Sequence, residues 1–379
     1  MDSGTGTVTP PKGRVSTEPY SEGDCDYWMA GEEVSVNLMI SSEGLSAEYQ
    51  EPLGPAGVRL RERPRQPLQE GHVAVAVKAA GLNHLDLWMA HGIQRVDPPR
   101  VICADGAGVV EEAGGRWKPG DEVVLLPTVS DGTCEHCRAG NEVFCPHFGI
   151  LGEHTDGTAC ARIQVPERLV YAKPKSLSWD EAAAFPLTFL TAYRMLTTRA
   201  GLRRGETLLV VGAGAGVSVA AIAIGKHLGA RVLATSSSEA KLEQARKLGA
   251  DEAIPTEGFS GPVRELTGRK GADVIFDSVG AATIDEDLKA IALGGRVVTC
   301  GSTSGPKVTL VWPRLFFKHA DILGSTMGNS SEFQGVLDLI GDGVKPVVDS
   351  VYPLAEVQAA LAHLDAAEQF GKVILRVAD

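Results

Sequence analysis

The chain has 379 residues and a formal net charge of −12, which arises from 48 acidic and 36 basic residues. Because this length exceeds what one hydrophobic core usually supports, we expect two domains. The acidic balance argues against nucleic acid and anionic membrane surfaces as partners, and no apolar run is long enough to predict a membrane-spanning helix.

Cysteine content and N-terminal composition indicate the cellular setting. Seven cysteines form an odd number, and the N-terminus lacks a basic start followed by an apolar stretch. We therefore expect a reducing cytoplasm. Residues 1–38 are rich in Gly, Ser, Thr, Pro and acidic residues, so we expect a loose arm without a core of its own.

Short strands separated by turns are predicted for the first half of the chain. They cover residues 34–40, 58–61, 73–77, 108–112, 122–126 and 161–165. Such a series of strands, with hardly any helix between them, predicts an antiparallel, barrel-like domain.

From residue 177 onward, helices and strands alternate, and Ser178 or Asp180 is expected to cap the first helix. The predicted strands are 207–211, 231–235, 272–277, 296–300 and 322–325, and the predicted helices are 217–228, 239–248 and 284–292. This alternation predicts a parallel, doubly wound sheet. The last fifty or so residues add helices 331–339 and 354–364 and strands 347–351 and 372–377, which we expect to return to the first domain.

A glycine-rich turn lies between predicted strand 207–211 and the helix after it. It consists of Gly212, Ala213, Gly214, Ala215 and Gly216, followed by Val217. Small residues let the backbone approach a pyrophosphate, and the helix N-terminus supplies amides and a positive dipole end. The turn predicts a dinucleotide site, although Ser218 stands where a third glycine is usual. A purely structural tight turn is the alternative.

The end of the second strand selects the cofactor, because an acidic residue there would hold the ribose 2′-hydroxyl of NAD. This chain instead has Thr235 followed by Ser236, Ser237 and Ser238, with Lys241 one helical turn later. Hydroxyls and a lysine can receive a 2′-phosphate, so NADPH is predicted. Alternatively, Ser236 and Glu239 form a capping box, and Lys241 is an ordinary solvated helix residue.

Several motifs are similar to those of a known superfamily. They are GLNHLD at 81–86, DGAGVV at 105–110, GDEV at 120–123, the segment 182–193, the glycine turn and FGK at 370–372. Over about residues 39–379 the sequence resembles the medium-chain dehydrogenase/reductase superfamily, most closely its quinone oxidoreductase-like and zinc-binding dehydrogenase-like members.

This resemblance implies an α/β protein with two domains and an active site in the cleft between them. A GroES-like, β-barrel-type catalytic domain would comprise residues 39–176 and 328–379, and a Rossmann domain would comprise residues 177–327. A homodimer is also expected, from the resemblance alone.

The resemblance also bears on the catalytic metal. Zinc-dependent members hold a catalytic zinc with three residues, and the matching positions here are Asn83, Ala104 and Pro186, none of which is a suitable ligand. Asp105 and His84 alone do not build such a site. A Lewis acid stabilises an alkoxide by several kcal/mol, whereas one hydrogen-bond donor supplies roughly 3 kcal/mol. We therefore expect conjugated acceptors, whose developing charge is delocalised.

Candidate catalytic residues follow from position in the matching motifs. Asn83 is expected to donate a hydrogen bond in the cleft, and Asp86 to orient the loop or the cofactor; alternatively, the two form an Asx-turn that caps helix 85–90. Thr188 and Thr191 match the helix on which relatives contact nicotinamide and ribose. Hydrogen bonds back to their own helix are the alternative.

The remaining cofactor contacts are expected at the carboxyl ends of predicted strands, where open α/β sheets place their ligands. They are Ser278, Val279, Cys300, Gly301, Ser325, Thr326 and Met327. Lys372 resembles a cofactor-contacting lysine of the superfamily. Cys300 is expected to fill space, not to act as a nucleophile. Loops such as 90–100 and the stretch 44–56 are expected to form the pocket walls.

Four further residues match the structural zinc lobe of the superfamily: Asp131, Cys134, Cys137 and Cys145, with Asp131 in place of the first cysteine. Three thiolates and one carboxylate can form a tetrahedral zinc site, for which His136 and His147 offer substitutes. A loop of reduced thiols without metal is the alternative. Such a zinc would stabilise the lobe and take no part in hydride transfer.

Together these features predict an NADPH-dependent reductase that transfers hydride to an enone, an enoyl compound or a quinone without a catalytic zinc. Two alternatives stay open: an alcohol dehydrogenase with an atypical metal site, and a non-catalytic NADPH-binding protein.

Overall fold

The computed structural model describes residues 44–378, so the predicted arm 1–38 and the predicted strand 34–40 lie outside the described residues. Two large sheets share one continuous hydrophobic core, which includes Val75 in one sheet and Val210 in the other. No helix within residues 44–378 has the length and apolar character needed to cross a membrane.

Strands from both ends of the described chain form the first sheet. In spatial order they are Val170–Ala172, Glu122–Leu125, Asp105–Ala113, His72–Gly81, Lys372–Arg376 and Val348–Pro353, and Arg162–Pro166 also pairs with His72–Gly81. Lys372–Arg376 runs antiparallel to His72–Gly81. The C-terminal strands therefore return to the N-terminal unit, as the sequence predicts.

Smaller sheets and short helices complete this unit. The strands are Gly44–Tyr49, Val58–Arg63 and Arg100–Val101 in one sheet, and Thr128–Val129 and Gly149–Ile150 in another. The helices are His84–Ala90, Glu135–Arg138, Ser330–Gly341 and Val357–Asp365, with 3-10 turns at Gly54–Gly57, Glu142–Phe144, Glu167–Leu169 and Leu354–Glu356.

The second sheet has six parallel strands. Their order is Glu252–Pro255, Arg231–Ser236, Thr207–Val211, Ala272–Asp277, Ile291–Thr299 and Asp321–Gly324. The connecting helices are Gly216–His227, Glu239–Leu248, Ser260–Leu266, Ile284–Ala290 and Trp312–Phe316. Helices Trp179–Ala182 and Pro186–Tyr193, the latter continued by the π-helical turn Arg194–Arg199, lead into this sheet.

The predicted fold class is confirmed, and the differences from prediction have local causes. Ser178, not Asp180, caps helix Trp179–Ala182, because its hydroxyl accepts the N–H of Glu181 at 3.2 Å. The stretch 44–56, predicted as a pocket-wall loop, contains strand Gly44–Tyr49. Ser46 and Glu48 are both buried, and the hydroxyl of Ser46 donates to the carboxylate of Glu48 at 2.8 Å. Because these buried positions hold polar residues, the segment lacks the alternation of apolar and polar residues that predicts a strand.

Two short elements of the parallel sheet were also missed. Strand Glu252–Pro255 and helix Ser260–Leu266 have four and seven residues, too few for their periodicity to stand out.

Candidate active site

The glycine turn connects strand Thr207–Val211 to helix Gly216–His227. Gly212 has a φ of +77°, a backbone conformation that other residues rarely adopt. The hydroxyl of Thr235 accepts the N–H of Gly212 at 3.2 Å, and its carbonyl accepts the N–H of Ala213 at 2.6 Å. Thr235, for which the sequence predicts no role in the site, therefore fixes the turn against the second strand.

Gly216 lies where three parts of the protein meet. A Cβ at this position would stand 2.9 Å from Thr188 Cγ2 and 3.1 Å from Lys372 Cδ. The turn thus contacts both the cleft helix Pro186–Tyr193 and the C-terminal strand. Ser218 is buried, and its hydroxyl donates to the carbonyl of Val211 at 3.4 Å, so it packs inside its own domain.

The serines at the second strand and Lys241 flank the same turn. Helix Glu239–Leu248 begins after Ser238, and the Ser236 hydroxyl accepts the N–H of Ser238 at 3.2 Å, so the alternative capping box does not form. Lys241 is half-buried, and its Nζ donates to the carbonyl of Ala367 at 2.6 Å. Burial lowers the pKa of Lys241, against the opposing effect of Asp349 and Glu368. Lys241 is therefore not an ordinary solvated residue.

The far wall is formed by adjacent strand ends. Val279 Cγ2 lies 3.1 Å from the Cβ position of Gly212. The carboxylate of buried Asp277 holds this segment, because it accepts the N–H of Val279 and, at 2.6 Å, the hydroxyl of Thr283. The N–H of Thr303 reaches the carbonyl of Ser278 at 3.4 Å.

This wall brings together the segments that carry all seven predicted contacts: Ser278, Val279, Cys300, Gly301, Ser325, Thr326 and Met327. The segment that contains Ser325 lies beside the one that contains Cys300, since the N–H of Ser325 donates to the carbonyl of Thr299 at 2.9 Å. Burial raises the pKa of Cys300 to about 12, so its thiol stays protonated at neutral pH and is a poor nucleophile.

A buried ion pair joins strand Lys372–Arg376 to strand Asp105–Ala113. Lys372 Nζ lies 2.7 Å from Asp105 Oδ2 and 2.5 Å from Asn83 Oδ1. Asn83 Nδ2 donates to Asp105 Oδ2 at 3.0 Å and to the carbonyl of Gly81 at 3.3 Å. The second oxygen of Asp105 accepts the N–H of Leu187 at 2.6 Å. Both amide hydrogens of Asn83 therefore have protein acceptors, and the amide orients the ion pair.

This arrangement changes which group is available to a ligand. Asn83, the donor expected from the sequence, has no amide hydrogen left for one. Lys372 has three N–H groups, of which two point to the acceptors just described; the third has no acceptor among residues 44–378. Asp105 was missed as a site residue, although its place at the start of the DGAGVV motif, beside Ala104, was a usable signal.

Asp86 and His84 form the neighbouring part of the cleft. The Asp86 carboxylate accepts the N–H of Asn83 at 2.7 Å and that of Cys103 at 2.8 Å, so the capping alternative is observed. Burial raises the pKa of Asp86 to about 6. Burial, followed by the positive charges of Lys372 and Lys241, lowers the pKa of His84 to about 4. The imidazole is therefore neutral at neutral pH.

Six apolar side chains form a separate cluster beside the ion pair, which we call the cleft cluster. They are Leu85, Ala104, Phe148, Ile150, Leu187 and Met327. Ala104, at a position that holds a zinc ligand in zinc-dependent relatives, is thus surrounded by hydrocarbon.

The two predicted threonines lie on the helix that borders this cluster. The hydroxyl of Thr191 donates to the carbonyl of Leu187 at 2.8 Å, and that of Thr188 donates to the carbonyl of Ala184 at 3.3 Å. The alternative of a hydrogen bond within the helix is therefore observed for Thr191, whose hydroxyl also lies 3.9 Å from Met327 Sδ. Thr188 bonds instead to the turn just before the helix.

The predicted lobe residues converge. Potential ligand atoms of Asp131, Cys134, Cys137 and Cys145 all lie within 4.8 Å of one another, and no second such group of three or more His, Cys, Asp or Glu residues occurs within residues 44–378. Asp131 Oδ1 accepts the N–H groups of Thr133 at 2.6 Å and Cys134 at 2.8 Å, which orients the carboxylate. This donor set fits a tetrahedral zinc ion. The substitutes His136 and His147 are not part of the group.

Comparison with known proteins identifies the family. An alcohol dehydrogenase GroES-like domain matches residues 69–175, and a zinc-binding dehydrogenase domain matches residues 216–342. The chain belongs to the medium-chain dehydrogenase/reductase superfamily. It is 32% identical over 327 residues to an acryloyl-coenzyme A reductase of Metallosphaera sedula, and the alignment covers 84% of this chain and 96% of the relative.

Solved structures of this superfamily show the same architecture. The crystal structure of an NAD-dependent alcohol dehydrogenase has a TM-score of 0.86 and 42% identity, covering 88% of this chain and 100% of that one. The structure of the 2-octenoyl-CoA carboxylase reductase CinF, in complex with NADP and 2-octenoyl-CoA, has a TM-score of 0.81 and 27% identity over 88% of each chain. The predicted family is confirmed, and this protein is an oxidoreductase.

Proposed function

We propose that this protein is an NADPH-dependent reductase that transfers hydride to a conjugated carbonyl compound, an enoyl thioester above all, without a catalytic zinc. The replacement of zinc ligands in the cleft carries this proposal. Ala104 belongs to an apolar cluster, and Asn83 is engaged with Lys372 and Asp105. Without a Lewis acid, an acceptor that delocalises its developing charge is favoured. The acryloyl-coenzyme A reductase and the octenoyl-CoA enzyme among the relatives support this substrate class.

The cofactor is assigned to the glycine turn and its neighbours. The amides of residues 212–217 would hold the pyrophosphate, Ser236, Ser237 and Lys241 the 2′-phosphate, and the predicted wall residues with Thr188 and Thr191 the nicotinamide and its ribose. When bound, NADPH supplies the hydride. Two buried polar atoms here, Ser325 Oγ and Gln369 Oε1, have no partner within residues 44–378, and a cofactor would provide one. The NADP complex of the octenoyl-CoA enzyme supports the choice of NADPH.

The cleft cluster indicates the character of the substrate. Its six side chains present hydrocarbon, with no charged group among them. An acyl chain would bury its apolar surface there, at about 25 cal/mol per Å². The carbonyl end would lie nearer the ion pair, because Asp105 follows Ala104 and accepts the N–H of Leu187.

Zinc and domain organisation complete the proposal. A single structural zinc would be held by Asp131, Cys134, Cys137 and Cys145, whose donor atoms converge. The domain boundaries proposed are those predicted from the sequence, at residues 176/177 and 327/328. The zinc lobe contacts the second boundary, because the N–H of Val143, which lies between Cys137 and Cys145, donates to Asn329 Oδ1 at 3.1 Å.

A substrate panel tests the proposed reaction. The purified chain is mixed with NADPH and, separately, with acryloyl-CoA, crotonyl-CoA, 2-octenoyl-CoA, an aliphatic enone and a benzoquinone, and loss of NADPH absorbance is followed. Butanoyl-CoA, which lacks the conjugated double bond, is the matched control. We expect turnover with the conjugated acceptors alone. NADPH binding without turnover of any of them would instead support a non-catalytic cofactor-binding protein.

An alcohol dehydrogenase is the second candidate, because a structure 42% identical to this chain is that of an NAD-dependent alcohol dehydrogenase. It predicts oxidation of primary or secondary alcohols with NAD⁺ and two zinc ions per chain. Our proposal predicts no alcohol oxidation and one zinc ion per chain.

We further propose a homodimer formed through the last strand of the parallel sheet. Asp321–Gly324 is an edge strand, and exposed edges with apolar surroundings are normally covered. Seven exposed apolar side chains occur in the surrounding segment, residues 293–322: Leu293, Val308, Val311, Trp312, Phe316, Phe317 and Ile322. Light scattering should show a dimer, and the variant Phe317→Glu should shift it towards the monomer. A monomeric wild type would contradict the proposal.

A further inference from the structure

The ion pair of Lys372 and Asp105 is buried, and burying two charges has a desolvation cost that the packing of the fold does not require. Both side chains are almost fully buried, with 4% and 0% of their surfaces exposed. A buried ion pair contributes little net stability, because desolvation offsets the attraction between the charges. A charge kept in such a place is therefore a candidate for function.

The position of Lys372 joins the two halves of the proposed reaction site. Its methylene groups lie against Gly216 of the dinucleotide turn and Gly81 of the catalytic sheet, at 3.1 Å and 3.2 Å from the Cβ positions there. Its ammonium contacts Asn83 and Asp105, next to Ala104 and Leu187 of the cleft cluster. The ammonium thus lies between the glycine turn and the apolar cluster.

The hydrogen bonds around Lys372 leave one N–H for a ligand. Asn83 Oδ1 and Asp105 Oδ2 accept two of its three hydrogens. The amide of Asn83 is fixed by its own hydrogen bonds to Asp105 and Gly81. The acceptors of the Lys372 ammonium therefore have fixed orientations and hold the ammonium in place. Such a fixed cation needs little rearrangement when negative charge develops nearby.

We propose that Lys372 is a catalytic residue, which donates its remaining N–H to the carbonyl oxygen of the conjugated substrate. The inference rests on the reductase function proposed above. Asn83 and Asp105 are then positioning residues, because they act through the ammonium. Lys372 thus supplies a positive charge in a cleft where Asn83, Ala104 and Pro186 are not suitable ligands for a metal ion.

The chemical step balances with NADPH and one solvent proton. The substrate accepts hydride at its β-carbon, and the electron pair of the carbon–carbon double bond moves so that negative charge appears on the carbonyl oxygen. The Lys372 N–H stabilises this enolate without losing its proton. The enolate then takes a proton from solvent at its α-carbon, which leaves a saturated carbonyl compound and NADP⁺.

The test compares hydride transfer with cofactor binding. Lys372→Gln removes the charge, and the paired variant Lys372→Gln with Asp105→Asn removes it without leaving a buried carboxylate unpaired. Lys270→Gln, at an exposed lysine just before strand Ala272–Asp277, is the control. For each protein, the single-turnover rate of NADPH oxidation is measured at saturating cofactor and acryloyl-CoA, and the Kd of NADPH is measured by fluorescence titration.

We expect both Lys372 variants to transfer hydride on the order of 100-fold more slowly, which is typical of removing one oxyanion donor, with little change in Kd. The deficit should be smaller with a benzoquinone, whose reduced oxygen is less basic. A weakened Kd with an unchanged hydride-transfer rate would overturn the inference and make Lys372 a cofactor contact only. A wild type inactive with every conjugated acceptor would overturn the proposed function, and this inference with it.

Discussion

Replacing Gly216 with alanine places one methyl group at the junction of the dinucleotide turn, the cleft helix and the C-terminal strand. The new Cβ would stand 2.9 Å from Thr188 Cγ2 and 3.1 Å from Lys372 Cδ, so at least one neighbour must move. Thr188 lies in a buried helix and has little freedom to do so. Overpacking of this kind costs about 1–3 kcal/mol, and alanine's helix preference returns at most about 1 kcal/mol. We expect a net loss of about 1–2 kcal/mol of unfolding free energy.

Urea-induced unfolding, followed by tryptophan fluorescence, measures this loss, and NADPH titration measures the accompanying change in affinity. Gly261→Ala is the matched control: Gly261 also lies in a helix, and its new Cβ would meet no atom within 4 Å. It should be stabilised by about 0.5–1 kcal/mol. Adding Thr188→Ser removes the opposing methyl group and should recover much of the loss. A Gly216→Ala variant as stable as the wild type would refute the predicted clash with Thr188.

Three further predictions concern the cofactor, the metal and pH. Lys241→Ala should weaken NADPH binding by about tenfold, the worth of one hydrogen bond to a charged group, and leave NADH binding nearly unchanged in fluorescence titrations; equal weakening of both would contradict the 2′-phosphate assignment. Metal analysis should find one zinc per chain, and Cys137→Ser should lose it and melt at a lower temperature; a metal-free wild type would refute this. His84 has a pKa of about 4 in the folded state and 6.5 in the unfolded state. Its neutral imidazole therefore contributes fully to the free energy of unfolding above pH 6.5, and this contribution, about 3 kcal/mol at most, is lost as the pH falls towards 4. His84→Gln should therefore lose less stability on acidification in urea unfolding, and an identical pH profile would count against the assignment.

The periodicity of the chain predicts the fold well where elements are long and apolar. Strand Thr207–Val211 and helix Glu239–Leu248 have the predicted bounds, because a buried strand and a helix closed by Gly249 have clear sequence signals. Strand Gly44–Tyr49 lacks such a signal. Its inward-facing Ser46 and Glu48 are satisfied by each other and by an ion pair with Arg63, a partner that only the folded sheet supplies.

The candidate site shows the same division between local and long-range information. The lobe ligands are close in sequence, so their spacing predicts the convergence that the structure shows. The ion pair joins residues 267 positions apart, and the sequence holds no sign that strand Lys372–Arg376 brings its first side chain to Asp105. The partners of Asn83 were equally hidden. A motif can name a residue, but which of its hydrogens are free depends on contacts from distant strands.

The ion pair also weighs on the choice between a reductase and a zinc alcohol dehydrogenase. The resemblance to zinc-dependent members implies a metal ligand at the position of Asn83. Here the side-chain oxygen at this position accepts a hydrogen bond from the Lys372 ammonium at 2.5 Å. A divalent cation bound at Asn83 would lie within a few ångströms of that ammonium, where repulsion between charges is strong because little water screens it. Under our proposal, Lys372 therefore supplies the positive charge of this cleft, and the Asp105 carboxylate holds its ammonium in place.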